Sequence, residues 1–352
     1  MQPEKPYEFT DAVFYFFKVL SRRPGKTLWV GFWNAVLYLV FAGLFVWALL
    51  PFYLGIFDLA LTGQEPDTGQ ILSMMSSMAW IGLLTTFGSI VVALMAQGAW
   101  LRLLARDEVA GGIPLRFGSD EFRLLGVNIL LIVIIFGTYL AGVILVGVAI
   151  AIGAAADGGA VTILAVLLGV AAFVAAIGVL IFLSIRLSAA AALTVLDQKI
   201  RISGAWPVTK GIFWWVFLTY LVLALIIAFA SSTISSFVQL MFLPMLVPMF
   251  TELGQMSGSA DPDMVFELFM STFTSPGVIA LFVVAVIISV VGQIFYEGMW
   301  HSVGAYLARR HRDLEGTPSE PAVPAAPTPP PAPVAPAANT GDAGGDSGSS
   351  PN

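Results

Sequence analysis

The chain has 352 residues, of which 58% are hydrophobic and 11% charged, with a formal net charge of −6. Soluble domains carry roughly 25% charged residues, so an apolar excess spread over several long runs points to a polytopic membrane protein. The absence of cysteine excludes disulfides, thiolate metal sites and cysteine nucleophiles.

Residues 7–20 (YEFTDAVFYFFKVL) read as an aromatic-rich amphipathic helix lying on the membrane surface, with a turn at Ser21-Arg22-Arg23-Pro24-Gly25-Lys26. Asp11 and Lys18 interrupt the apolar run and no small-residue cleavage site follows, so the stretch does not read as a secretory signal. Span one is expected over 28–50, stopping near Pro51, and a polar loop with Asp58, Glu65 and Asp67 follows. The next apolar run, 71–101, exceeds the ~20 helical residues that cross a ~30 Å hydrocarbon core. Span two is therefore placed at 78–101, with the earlier turns outside or the helix tilted. Residues 102–123 are polar, broken by Gly111-Gly112-Ile113-Pro114, and Ser119-Asp120 suits an N-cap for span three at 124–152.

A short loop around Asp157-Gly158-Gly159 leads to span four at 161–185. A basic elbow with Arg186, Lys199, Arg201 and Lys210 then enters span five at 212–232. Ser231–Ser236 interrupts the apolar run. Pro244 and Pro248 each lack a backbone donor, so 237–250 reads as an interfacial or re-entrant piece and not as a further span. After an acidic loop (Glu252, Asp261, Asp263, Glu267) comes span six at 277–299. The expected organisation is an amphipathic cytoplasmic segment at 1–27, a six-span membrane domain at 28–312, and a Pro/Ala/Gly/Ser-rich tail at 313–352 that cannot bury a core and reads as disordered. The fold class is all-α: three transmembrane hairpins joined by amphipathic cytoplasmic elbow helices.

With six spans, all 16 Lys and Arg fall on one side, and the opposite loops hold acidic residues and no Lys or Arg. The positive-inside rule then places both termini in the cytoplasm. The lead-ins to spans one, three and five (Lys26-Thr27-Leu28-Trp29, Phe122-Arg123-Leu124-Leu125 and Gly211-Ile212-Phe213-Trp214) recur about every 90 residues, a period that suggests an internal repeat. The span exits agree: Gln97-Gly98-Ala99-Trp100 matches Glu297-Gly298-Met299-Trp300, with Arg186 in the comparable place on span four.

The stretch Arg186-Leu187-Ser188, Ile202-Ser203-Gly204-Ala205-Trp206 and Thr209-Lys210-Gly211-Ile212-Phe213-Trp214 resembles the membrane-domain family found attached to some bacterial glycerophosphodiester phosphodiesterases, which also has free-standing multi-span relatives of unknown function. The likeness covers about thirty residues. Where that family has a proline shortly after the arginine, this chain has Ala189 to Ala192. No counterpart of the soluble phosphodiesterase barrel is present, so the resemblance implies a bacterial inner-membrane setting and no hydrolase activity.

Gln97, Arg186 and Glu297 sit near the same end of the even-numbered spans, where an unpaired ionisable group costs several kcal/mol. They form a candidate intramembrane polar cluster in which Arg186 pairs with Glu297; the alternative is that Arg186 snorkels to the headgroups and Glu297 reaches water. His301, one turn beyond Glu297, reads as an interfacial histidine, since the chain's two histidines supply too few ligands for a metal. Lys199, Arg201, Trp206, Lys210 and Trp214 form a candidate lipid-headgroup elbow. Small residues at helical spacing, Gly147/Ala151 and Ala165/Gly169, suit close packing of spans three and four.

No phosphate-binding loop, HExxH motif or serine-hydrolase elbow is present, and the dispersed basic residues imply no nucleic acid. No catalytic, cofactor or metal residue is expected. The function expected is a non-enzymatic organiser of lipid or membrane partners, those partners being membrane lipids, other membrane proteins or further copies of the chain. A transporter or channel for a small or lipidic solute is the alternative, and an enzyme acting on lipid headgroups is disfavoured by the missing catalytic constellation.

Overall fold

The structure is a computed structural model that describes residues 7–62, 67–109, 111–156, 158–255 and 262–315. Among these residues every regular element is helical, and six helices are long and apolar enough to cross a membrane. In chain order they are α1 (Phe9–Val13), α2 (Tyr15–Arg22), α3 (Pro24–Thr62), α4 (Thr68–Leu101), α5 (Ser119–Ala155), α6 (Ala160–Leu187), α7 (Ala190–Asp197), α8 (Ala205–Val208), α9 (Phe213–Gln255), α10 (Pro262–Phe273) and α11 (Pro276–Glu315). The hairpins are α3–α4, α5–α6 and α9–α11. Further contacts of α4 with α5, α6 with α9 and α11 with α3 close the six into a ring.

The helices are longer than the apolar runs suggested. α4 starts at Thr68 because Asp67 caps it: its carboxylate accepts from Gln70 N at 2.7 Å, and Gln70 Oε1 accepts from Asp67 N at 3.1 Å. Pro51 lies inside α3 and does not end it. The reading of 237–250 as an interfacial or re-entrant piece is corrected: α9 runs unbroken through Pro244 and Pro248. Each proline forfeits one backbone bond at about 3 kcal/mol, whereas unravelling a segment in lipid leaves several backbone groups unsatisfied, each costing several kcal/mol. The Ser/Thr run does not break the helix either, since Thr233 Oγ1 donates back to the Phe229 carbonyl at 2.8 Å. α11 likewise continues to Glu315, past the expected tail boundary at 313. Residues 316–352, together with Lys5, Glu65, Asp157 and Asp261, lie outside the described residues.

The buried core is gathered at one end of the ring, where the basic residues also lie. It joins Phe16, Trp100, Leu104, Leu124, Val195, Val216, Val303 and Leu307 from seven different segments. Away from that end the spans expose large apolar side chains such as Phe136, Leu167 and Val174, as lipid-facing helices do. Between helices in lipid, close contact replaces hydrophobic burial as the cohesive term. On the α5–α6 hairpin, Gly142 faces the Ala176 methyl, Gly153 faces Ala165, and Gly169 faces Ala149. The expected Ala165/Gly169 pair thus packs, whereas nothing lies within 4 Å of the position a Gly147 Cβ would take.

The amphipathic segments pack against the helix bundle as well as presenting an exposed apolar side, Phe14 and Phe17. α1 and α2 dock on the basic end: Ala12, Val13 and Phe16 are buried, Tyr7 Oη and Thr219 Oγ1 are 2.7 Å apart in a hydrogen bond, and Tyr15 Oη donates to the Leu104 carbonyl at 3.1 Å. α7 is buried over most of its length and wedges between α5, α11 and the end of α4. Both segments carry enough apolar surface to join the core, and the spread ends of six helices leave room for them.

Candidate functional site

The basic end is built on charge pairs that hold the polar segment 102–123 in place. After α4 the chain makes one π-helical turn, Arg102–Arg106, and stops at Asp107 in the left-handed conformation (φ 58°). Arg102 is 2% exposed and pairs with the fully buried Glu121; its second amino group donates to the Pro114 carbonyl at 3.1 Å. Glu121 Oε2 also accepts from Gly118 N at 2.9 Å, so Gly118, and not Ser119-Asp120, is the N-cap of α5. The pair crosses directly over Gly98, where a Cβ would lie 2.4 Å from Glu121 Oε1. Asp120 bonds Arg106 and Arg123, each at 2.9 Å, and Asp107 pairs with Arg23. Arg309 Nε donates to the Ala105 carbonyl at 2.8 Å, and Arg312 reaches Asp197 at 3.1 Å. Residues that read only as topology signals are therefore structural clamps.

Gln97, Arg186 and Glu297 do not form one cluster. Arg186 turns toward the elbow, donating to Thr209 Oγ1 at 3.2 Å, and its guanidinium carbon lies 5.3 to 5.6 Å from the ring centroids of Phe182, Trp206 and Phe213. An aromatic cage of this kind offers a partly desolvated cation an electrostatic partner. Glu297 faces α3 instead. Tyr38 Oη donates to its Oε1, and Gln293 Nε2 lies 3.4 Å from the same oxygen. The expected Arg186–Glu297 pair is thus absent: each group is held by its own hairpin's neighbours, α8 and α9 for one and α3 for the other. Gln97 Oε1 accepts from Asn128 Nδ2 at 2.8 Å.

The elbow residues Lys199, Arg201, Trp206, Lys210 and Trp214 are all exposed. Arg201 pairs with Asp197 at 3.2 Å and Trp206 closes the cage over Arg186. Trp214 is 74% exposed, as an interfacial anchor would be.

Inside the ring, against the basic core, lies a cavity of about 260 Å³ to which α4, α5, α6, α7, α9 and α11 all contribute. Its polar groups are Gln97, Asn128, Ser184, Ser188, Tyr220 and His301, and Leu101, Leu131, Ile135, Ile185 and Leu187 supply the apolar wall. Tyr220 meets Trp300 at a ring separation of 5.4 Å. Of the candidate cluster only Gln97 reaches this cavity. Asn128, Ser184 and Tyr220 were not singled out in the sequence, and Ser188 entered only through the resemblance. The one available signal was a lone amide in span three, and it had no visible partner until α4 lay beside it. His301, expected at the interface, is partly buried and lines the cavity. Among the described residues no group of three or more His, Asp or Glu side chains converges as a metal site would require.

No protein-family model, curated protein or solved structure matches the chain.

Proposed function

We propose that the chain is a non-enzymatic integral membrane protein that holds and organises lipid, its cavity taking a lipidic molecule from within the bilayer. The observation that carries this reading is the cavity itself, a concave and mostly apolar site with a few polar groups on its wall. Two apolar clefts, one between α5 and α6 and one between α9 and α11, offer further surface to acyl chains.

The setting belongs to the same proposal: a bacterial inner membrane, with the basic end and both termini in the cytoplasm, as the one-sided distribution of Lys and Arg supports. A threefold repeat is supported by a recurrent contact, in which a residue preceding each lead-in rests on a span exit: Phe16 on Gly298, Glu121 on Gly98, and Trp206 with Thr209 on Arg186. The resemblance to the phosphodiesterase-linked membrane domains stands as a proposal on the residues that carry it.

Extraction into native lipid particles, followed by identification of co-purifying lipid and protein, tests the reading. One enriched lipid species supports it, and a stoichiometric protein with only bulk lipid would replace it with an organiser of protein partners. A transporter or channel is the alternative, drawing on the same cavity. Solute or lipid flux in proteoliposomes separates the two.

A further inference from the structure

We infer that the ring cavity selects a membrane lipid with a small, uncharged, hydrogen-bonding head group, such as a diacylglycerol, and excludes lipids that carry a phosphate. The inference rests on the lipid-holding reading and specifies the chemistry of that same site.

Along the α5 wall of the cavity, polarity follows depth. On α5 the lining residues Asn128, Leu131 and Ile135 fall at i, i+3 and i+7, so one helix face passes from an amide to aliphatic side chains over about 10 Å. A molecule lying along this face needs a polar head toward the basic end and an apolar body toward the membrane interior. At the head, Gln97 and Asn128, both on the cavity wall, use one acceptor and one donor on each other, which leaves the Gln97 amino group and the Asn128 carbonyl oxygen uncommitted by that bond. The His301 ring makes no hydrogen bond among the described residues. It therefore presents one donor and one acceptor. These groups match a hydroxyl, which both donates and accepts, beside an ester carbonyl, which accepts.

The charge inventory excludes a phosphate. No Lys, Arg, Asp or Glu lines the cavity, although the same end of the molecule is rich in arginine. Those arginines are committed elsewhere: Arg102 to Glu121, Arg186 to Thr209 and its aromatic cage, and Arg312 to Asp197. An anionic head group placed here would lose its hydration and gain no cation, which is strongly unfavourable in a low-dielectric site.

The experiment uses the full chain in lipid nanodiscs and two photoreactive probes with identical diazirine-bearing acyl chains, a diacylglycerol and the corresponding phosphatidic acid. Saturable diacylglycerol labelling is expected on the α5 peptide around Leu131 and Ile135, at least fivefold above phosphatidic acid. Ala191→Phe, which fills the cavity, and His301→Phe, which keeps a ring but removes both nitrogens, should each lower that labelling at least fivefold while leaving labelling of the lipid-facing side of α6 unchanged. The second variant keeps the test open if the first does not fold. Preferential labelling by phosphatidic acid would overturn the uncharged-head inference and leave the lipid-holding reading in place. Non-saturable labelling by both probes, unchanged in the variants, would overturn both.

Discussion

The ring of Phe16 sits on Gly298: a Cβ at that glycine would lie 2.3 Å from Phe16 Cε2. Phe16 is 2% exposed and also meets Trp100 and Phe295 edge-on at 5.8 Å each. The N-terminal segment, nearly 300 residues from α11 in sequence, is thereby a keystone of the basic end. Gly298→Ala should force the ring out and destabilise the protein by about 1–3 kcal/mol, as overpacking does, with Phe16→Leu restoring part of the loss. Thermal unfolding in detergent measures both.

The Arg102–Glu121 pair is fully buried, and removing one partner of such a pair strands the other charge. Arg102→Met or Glu121→Gln alone should each cost about 3–5 kcal/mol, and the double variant should cost less than the sum. A double-mutant cycle on unfolding free energy reads the coupling. Gly98→Ala, which places a methyl group against the same carboxylate, should resemble the single variants.

Because Arg186 is held by Thr209, Trp206 and their neighbours, charge exchange with Glu297 should fail. Arg186→Glu lowers stable expression, and adding Glu297→Arg lowers it further instead of restoring it. The coupling that should appear is between Arg186 and Trp206, about 0.5–2 kcal/mol by a double-mutant cycle.

Tyr38→Phe removes the hydroxyl that donates to Glu297. Leaving that carboxyl oxygen with only the long Gln293 contact should cost about 1–3 kcal/mol. In a Glu297→Leu background the same Tyr38→Phe change should cost less, since no acceptor is stranded, and detergent unfolding curves of the four proteins test this.

Burial raises the Tyr7 hydroxyl to about 12, against 10.0 for an ordinary tyrosine, the Thr219 bond offsetting part of the shift. An unfolded or detached segment therefore loses this proton first as pH rises. The stability that neutral Tyr7 contributes is complete below pH about 10 and is lost as pH climbs through about 12. Protease access to residues 7–20 should increase over that interval in the wild type, and Tyr7→Phe should abolish the Tyr7 share of the increase.

The sequence by itself determined the class of object. Six apolar runs of spanning length, with every Lys and Arg confined to alternate loops and so to one side, specify an all-α membrane protein of three hairpins, because lipid admits few other ways to satisfy a backbone. Ala165 with Gly169 announced a packing face, whereas Asp67, read as part of a polar loop, proved to be the cap that starts α4. Tertiary structure decided what the polar residues do. Gln97, Arg186 and Glu297 share a position along their spans, yet rotation of each helix sends Gln97 to Asn128, Arg186 to an aromatic cage and Glu297 to Tyr38. Depth in a membrane can be counted along the chain. The direction a side chain faces depends on which helix lies beside it, and only the closing of the ring settles that.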